Sequence, residues 1–368
     1  KKSTNFHEVI EFIPYNRFQN IKRIGEGGYG IVESAEWLDG RIICWNNDIK
    51  DWDRFNKKTI VIKTLHKSEN LNKEFFQEID AHFKLAEEAY VTKCYGITQN
   101  PETKNYGIVI SYASSGCLRK YLTDHKFIDW STKLYIVIHI TGGLERIHKA
   151  GLVHHDLHVG NILVNFNNNE WTQTKIPEYL TWVDTNHAQI ADLGLCRSAN
   201  KKEEDESHGV IYYLAPEVLQ GKPYTQAADV YAFGILFNVI ASGKPPFSGD
   251  RHNQEAFIAK VVEEHYRLDI PAHVPNFIRE IINNCWKHDP QERPKADYLN
   301  NTLYKYWLDF YEKKDNEITR KCKESDEEAK APTYRIILML DTIVALRSWV
   351  ENYKMVSPNA KPENILIK

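Results

Sequence analysis

Lys63 ends the run T-I-V-I-K at residues 59–63, in which four β-branched residues lead to a cation. An ammonium at the end of an apolar strand is costly unless an anion meets it. Two carboxylates further along stand in settings that suit the same anion. Asp156 lies in H-H-D-L-H-V-G-N at residues 154–161, and Asp192 in A-D-L-G at residues 191–194. A glycine-rich run, I-G-E-G-G-Y-G-I-V, comes before all of them at residues 24–32. In this order the four segments describe apparatus for holding a triphosphate and moving its terminal phosphoryl group, with ATP and Mg2+ as the cofactors.

Each residue has a role in that chemistry. Gly25, Gly27 and Gly30 fit G-x-G-x-x-G, and with Glu26, Gly28 and Tyr29 they form a turn whose backbone amides can approach phosphates. A dinucleotide fingerprint would open a helix, whereas residues 31–37 keep a strand composition, so the turn should join two strands as a flap. Ile24 and Val32 would cap the base. The anions for Lys63 would be the α- and β-phosphates, with Glu78 in F-F-Q-E-I-D orienting it while Glu74 and Asp80 are solvated. Asp156 would accept the hydrogen bond of an acceptor hydroxyl, and Asn161 and Asp192 would bind the metal. Plainer alternatives exist for each piece alone: a glycine hairpin, a strand-end lysine in solvent, a turn at D-L-G. Zinc at His154, His155 and His158 is disfavoured, because they lack the i, i+4 pairing of a helical site.

The rest of the composition restricts the class. The 368 residues suffice for one bilobal domain with a tail, and a formal charge of -3 gives no reason to expect nucleic-acid binding. Six scattered cysteines without a C-x-x-C pair fit a reducing, cytoplasmic setting. The apolar stretch at residues 336–346 is shorter than the roughly 20 residues that span a bilayer and is broken by Asp341, so no membrane insertion is expected. No signal-peptide pattern opens the sequence, which starts at Lys1 rather than Met.

Strands come first and helices later, an α+β pattern in two lobes. Strands are predicted at residues 21–24, 31–37 and 59–63, with an extended hairpin or loop at the tryptophan-bearing residues 39–58. Apolar spacing predicts a helix over 71–89, a strand pair through 89–97 and 107–112, a hinge at S-S-G, and helices over 130–150, 227–242, 255–265 and 275–286. Residues 312–330 are a charged run, read as a solvated helix or linker, and residues 334–350 as an amphipathic helix packing on the domain or engaging a protein partner.

With A-P-E at residues 215–217, D-V-Y-A-F-G at 229–234 and C-W-K-H-D-P-Q-E-R-P at 285–294, the chain resembles the protein kinase superfamily over residues 13–311. The ending and the segment I-P-Y-N-R-F at 13–18 are similar to the tyrosine-kinase-like group, in particular the kinases expanded in mycorrhizal fungi. The resemblance implies an extension at 1–15, a kinase domain at 16–311 (small lobe 16–110, hinge 111–116, large lobe 117–311) and a tail at 312–368. It also implies a Glu217–Arg293 ion pair, an Asp229 that braces the catalytic loop, Ile110 as gatekeeper, Ser111, Tyr112 and Ala113 as the adenine hinge, and Leu163 beneath the base.

Three residues depart from that pattern. His155 replaces an arginine that clamps a phosphorylated loop, which weakens the expectation of activation through Ser198 or Ser207 on either side of the acidic residues 201–206. His158 leaves the acceptor type open. Val61 replaces an alanine and crowds the adenine roof. The implied activity is transfer to a protein hydroxyl, serine or threonine before tyrosine. A non-transferring scaffold is the alternative, and its usual sign, loss of Lys63, Glu78, Asp156, Asn161 or Asp192, is absent. A small-molecule kinase is disfavoured by A-P-E and the C-W-x-x-D-P-x-x-R-P ending.

Overall fold

A computed structural model of the protein describes residues 10–27, 30–55, 57–65, 68, 73–86, 88–125, 127–165, 187–198, 211–246 and 254–331. The small lobe carries β1 (Glu11–Phe12), β2 (Phe18–Gly27), β3 (Gly30–Trp37), β4 (Ile42–Asn46), β5 (Asp51–Arg54), β6 (Lys58–Leu65), helix α1 (Lys73–Lys84), β7 (Cys94–Gln99) and β8 (Tyr106–Ser111). Six of these strands form one sheet in the order β1-β7-β8-β6-β3-β2. Alternation along β6 decides what faces the cleft, because successive side chains of a strand point to opposite faces. Ile60 and Ile62 join Ile13, Phe18, Trp37 and Val109 in one apolar cluster. Val61, Lys63 and Leu65 take the other face, where Leu65 packs with Phe75 of α1 and Ile108.

The large lobe continues with α2 (Leu118–Asp124), α3 (Trp130–Lys149), β9 (Leu152–Val153), β10 (Ile162–Asn165), β11 (His187–Ile190), β12 (Arg197–Ser198), α4 (Pro216–Leu219), α5 (Gln226–Ser242), α6 (Gln254–Val262), α7 (Asn276–Cys285), α8 (Ala296–Tyr311) and α9 (Glu317–Lys330). Asp129 caps α3 by accepting the Thr132 N–H. Helix α5 is largely apolar on every side and buried from Ala228 to Ser242, with Asp229 among its few polar residues, so it forms the centre of the lobe rather than a surface stripe. It stops at Gly243, whose φ of 70° is the left-handed conformation that glycine supplies at a helix end.

Several boundaries differ from those the sequence predicts. The tryptophan-bearing insert is a hairpin, β4 against β5, with Trp45 and Trp52 in edge contact at 5.2 Å. The helix predicted over 71–89 ends at Lys84, and Leu71 lies outside the described residues. The strand predicted from residue 89 begins only at Cys94, because Ala89 and Tyr90 form a turn. The helix predicted over 255–265 stops at Val262, and His265 takes a left-handed φ of 53°. The supposed extension at 1–15 joins the sheet from residue 11, since β1 runs parallel to β7 and Ile13 is fully buried.

The tail differs most. Most of the charged run at 312–330 is α9, a packed helix with a capping box at Asn316 and Thr319. Its buried stripe is Thr319, Cys322, Ser325 and Asp326, and the last two meet the start of α3. Ser325 accepts the Trp130 indole N–H at 2.8 Å, and Asp326 accepts the Trp130 backbone N–H at 3.1 Å. The helix suggested for 334–350 lies outside the described residues.

Candidate active site

Lys63 is the meeting point. Its Nζ donates to Glu78 Oε1 at 2.8 Å and to Asp192 Oδ1 at 2.6 Å, joining β6, α1 and the turn after β11. Burial alone would lower the lysine, but the two carboxylates outweigh it and hold the ammonium well above its usual range. Asp192 is held below its usual range: burial raises it, and the charge and hydrogen bond of Lys63 prevail. Glu78, 3% exposed, goes the other way, because desolvation exceeds what its share of one ammonium returns.

Local backbone aims Asp192. β11 pairs antiparallel with β10, and two residues later Asp192 sits at φ 62°, capping the 3₁₀ turn Leu193–Leu195. Leu193 is fully buried and anchors that turn. A Cβ at Gly194 would stand 3.0 Å from Glu78 Oε2, so glycine serves close approach here.

The catalytic-loop candidates hang from one buried acid. Asp229 of α5, fully buried, accepts the backbone N–H of His154 at 2.8 Å and of His155 at 3.1 Å, and it contacts His148 Nε2 at 2.9 Å. Burial raises its carboxyl, and the hydrogen bonds and electrostatic contacts with His148 and His154 together outweigh that and lower it. His148 escaped sequence reading because a histidine near a helix end carries no motif. His154 is fully buried, with Nε2 3.1 Å from the Ala191 carbonyl oxygen and Nδ1 accepting the Asp156 N–H at 3.2 Å. Within the loop Asn161 Nδ2 donates to both the backbone oxygen and Oδ2 of Asp156, each at 2.9 Å.

The base-binding candidates line β2, β3, β6, β8 and β10. Val32 pairs with both Gly25 and Lys63, and Ile24 is 54% exposed. Gly30 lies where β3 crosses β6, and a Cβ there would meet the Thr64 carbonyl oxygen at 2.1 Å. Glu26 and Gly27 complete β2, opposite Ile31 and Gly30, whereas Gly28 and Tyr29 lie outside the described residues. Ile110 is opposite Val61 on one side and Cys94 on the other. Ser111 ends β8, Tyr112 is exposed, and the Ala113 carbonyl accepts the Gly116 N–H at 3.2 Å. Leu163, half-buried in β10, bridges to Cys117.

The family described as protein tyrosine and serine/threonine kinase matches residues 18–303. The chain belongs to that family. The "Serine/threonine/tyrosine-protein kinase HT1" of Arabidopsis thaliana is 31% identical over 204 residues, covering 55% of this chain and 47% of that protein. Two Dictyostelium discoideum proteins are also similar. The "Probable serine/threonine-protein kinase gdt2" is 27% identical over 313 residues and the "Probable serine/threonine-protein kinase gdt4" 29% over 311, each covering 83% of this chain. The chain spans about half the length of the first relative and 17% of each of the other two.

In this protein kinase fold the donor set suits a hard cation. Asn161 spends its amide N–H on Asp156, which leaves its carbonyl oxygen as an acceptor, and Asp192 adds a carboxylate. Mg2+ takes one or two such oxygens and completes its shell with phosphate and water. Among the described residues no group of three or more His, Cys, Asp or Glu could hold a metal ion. Away from the cleft, Arg293 forks onto Glu217 at 2.6 and 2.7 Å. His155, at φ 71°, stacks its ring on Tyr224 at 4.5 Å. The Ser198 side chain, Ser207 and the acidic residues 201–206 lie outside the described residues.

Proposed function

We propose that this chain is an active protein kinase that moves the γ-phosphoryl group of Mg2+-bound ATP to a protein hydroxyl, serine or threonine in the first place. The observation that carries the reading is the convergence of Glu78 and Asp192 on Lys63, with Asp156 tethered to Asn161, whose backbone oxygen accepts the N–H of Ala191 beside Asp192 at 2.8 Å. Lys63, oriented by Glu78, steadies the nucleotide's phosphates; the oxygens of Asn161 and Asp192 hold the metal; Asp156 accepts the hydrogen bond of the incoming hydroxyl and sets its line of approach. Bound magnesium would supply charge neutralisation on the phosphates. Gly25 to Gly30 and Val32 cover the nucleotide, with Ile24, Val61, Ile110, Ser111, Tyr112, Ala113 and Leu163 around adenine.

Membership of the tyrosine-kinase-like group rests on the C-W-x-x-D-P-x-x-R-P ending, and the likeness to the kinases of mycorrhizal fungi on residues 13–18 and the β4–β5 insert. The relatives' printed names, two serine/threonine and one serine/threonine/tyrosine, support serine or threonine as acceptor and keep dual specificity as the second choice. Among the described residues no helix is long and apolar enough to cross a membrane, and all six cysteines are free, which supports a reducing cytoplasmic setting. The kinase unit is proposed to run from residue 11 through α9.

Autophosphorylation with γ-labelled ATP tests the proposal. Incorporation is expected in the wild type and not in Asp192→Asn. No incorporation in either would favour a scaffold, and equal incorporation in both would point to a contaminating kinase.

A further inference from the structure

The small lobe contains a cavity of about 70 Å³, and none of the residues assigned to the nucleotide cleft lines it. Its walls come from the start of β1, the end of β3, the residues that open the β4–β5 insert, the end of α1 and the start of β7. A single water needs roughly 10–15 Å³, so the space takes a group of several heavy atoms.

The polar part of the lining is unbalanced. Arg41 enters no ion pair among the described residues. Its Nε is buried without a hydrogen-bond partner, and its guanidinium carbon lies 5.1 Å from the centre of the Phe55 ring. The Tyr95 hydroxyl is likewise buried with no partner. Buried polar atoms in folded proteins are nearly always paired, so two such atoms beside one cavity mark a place for a group that accepts hydrogen bonds. Glu11 does not fill that need, because its two oxygens accept from Arg54 at 2.6 and 3.1 Å. His82 adds no charge, since burial, with the Lys63 charge acting the same way, pulls it down to about 4. Lys93, whose ammonium donates to the Ala86 carbonyl at 2.8 Å, adds a second cation. With Glu11 neutralised by Arg54, the charge left on the walls is positive.

The rest of the lining includes Ile10, Ile42, Phe83 and Ala86, which are apolar. A fully hydrated anion would leave these side chains facing water, whereas a hydrocarbon chain covers them. We propose that the cavity binds a small organic acid, a carboxylate on a short hydrocarbon chain, with the carboxylate on Arg41 and the chain against Ile10, Ile42 and Phe83. The planar guanidinium matches the two oxygens of a carboxylate. A stable protein interface buries far more surface than this cavity offers, so a free small molecule is the occupant that fits.

Calorimetry and thermal melting of the whole chain without nucleotide test the site, with pentanoate, pentanol and inorganic phosphate as probes. Pentanoate should bind at one site with a Kd of about 1 mM or tighter. At about tenfold excess over Kd it should raise the melting temperature by about 2 °C or more. Pentanol and phosphate each carry half of the recognised chemistry and should bind at least about tenfold more weakly. Arg41→Gln should weaken pentanoate binding about 10- to 100-fold, the scale of a hydrogen bond to a charged group. Ala86→Leu, which fills the space, should abolish the pentanoate effect on melting. Absence of saturable pentanoate binding in the wild type overturns the proposal, and so does binding that is unchanged in either variant. Phosphate bound as tightly as pentanoate overturns it as well. If one variant fails to fold, the other decides by the same criterion. Turnover is not read, so the result is independent of the phosphotransfer reading.

Discussion

Lys63 and Asp192 stand 129 positions apart in the chain, yet Nζ and Oδ1 are 2.6 Å from each other. This contact ties the small-lobe sheet to the turn that follows β11. Replacing Lys63 with Met should reduce phosphotransfer by about 100-fold or more, the scale of losing one preorganised charge in a water-poor site.

The same variant has a pH signature. Removing one partner of a buried pair usually costs about 3–5 kcal/mol. Glu78, whose carboxyl burial already raises, can avoid part of that cost by taking a proton. A carboxyl with a raised folded pKa contributes stability that is fully present below its unfolded value and is lost as pH rises through the folded one. The melting deficit of Lys63→Met relative to wild type should therefore be larger at pH 8 than at pH 5. Equal deficits would contradict this.

Gly30→Ala tests close strand approach. Its methyl group would meet the Thr64 carbonyl oxygen at 2.1 Å, whereas a methyl group at Gly25 would touch only Val32 Cβ at 3.8 Å. Gly30→Ala should destabilise by about 1–3 kcal/mol through overpacking, and Gly25→Ala by much less. Urea unfolding of the two variants measures the difference.

Arg293 is a structural anchor away from the chemistry. Its side chain is fully buried, forks onto Glu217, and also donates to the carbonyls of Lys287, Ala227 and His288. Arg293→Met should cost about 3–5 kcal/mol in urea unfolding because Glu217 is left buried and unpaired. Adding Glu217→Leu should restore part of the loss.

The docking of α9 should depend on pH through Asp326. Burial pushes this carboxyl up to about 6, although the Trp130 N–H and Lys133 oppose the shift. Its contribution is full below the ordinary carboxylate range and is lost as pH rises through about 6. Lys133, brought down to about 8 by burial, titrates above that window. Amide hydrogen exchange, corrected for intrinsic rates, should show α9 better protected at pH 5 than at pH 7.5, and Asp326→Asn should flatten the difference.

Much of this arrangement was legible in the residues themselves. β6 declared itself through four β-branched residues, and its alternation placed Lys63 opposite the Ile60 and Ile62 cluster. The loop carrying Asp156 and Asn161 was visible because its spacing is chemical rather than conformational. What stayed hidden lacked an apolar period. The buried stripe of α9 is Thr319, Cys322, Ser325 and Asp326, four small or polar residues within a charged run, and hydrophobic spacing does not register them. The packing of Ile13 was hidden for a similar reason, since a two-residue edge strand is too short to show alternation. The Asp229 to His148 contact joins residues 81 apart and belongs to tertiary structure alone.

The most direct test pairs binding with transfer in one preparation. Wild type and Asp156→Asn are each titrated with Mg2+-ATP by calorimetry and then assayed for release of label from ATP onto casein. Similar affinities, with transfer in the wild type and a loss of about 100-fold or more in Asp156→Asn, are the predicted result. Tight nucleotide binding by a wild-type chain that transfers nothing would contradict the account.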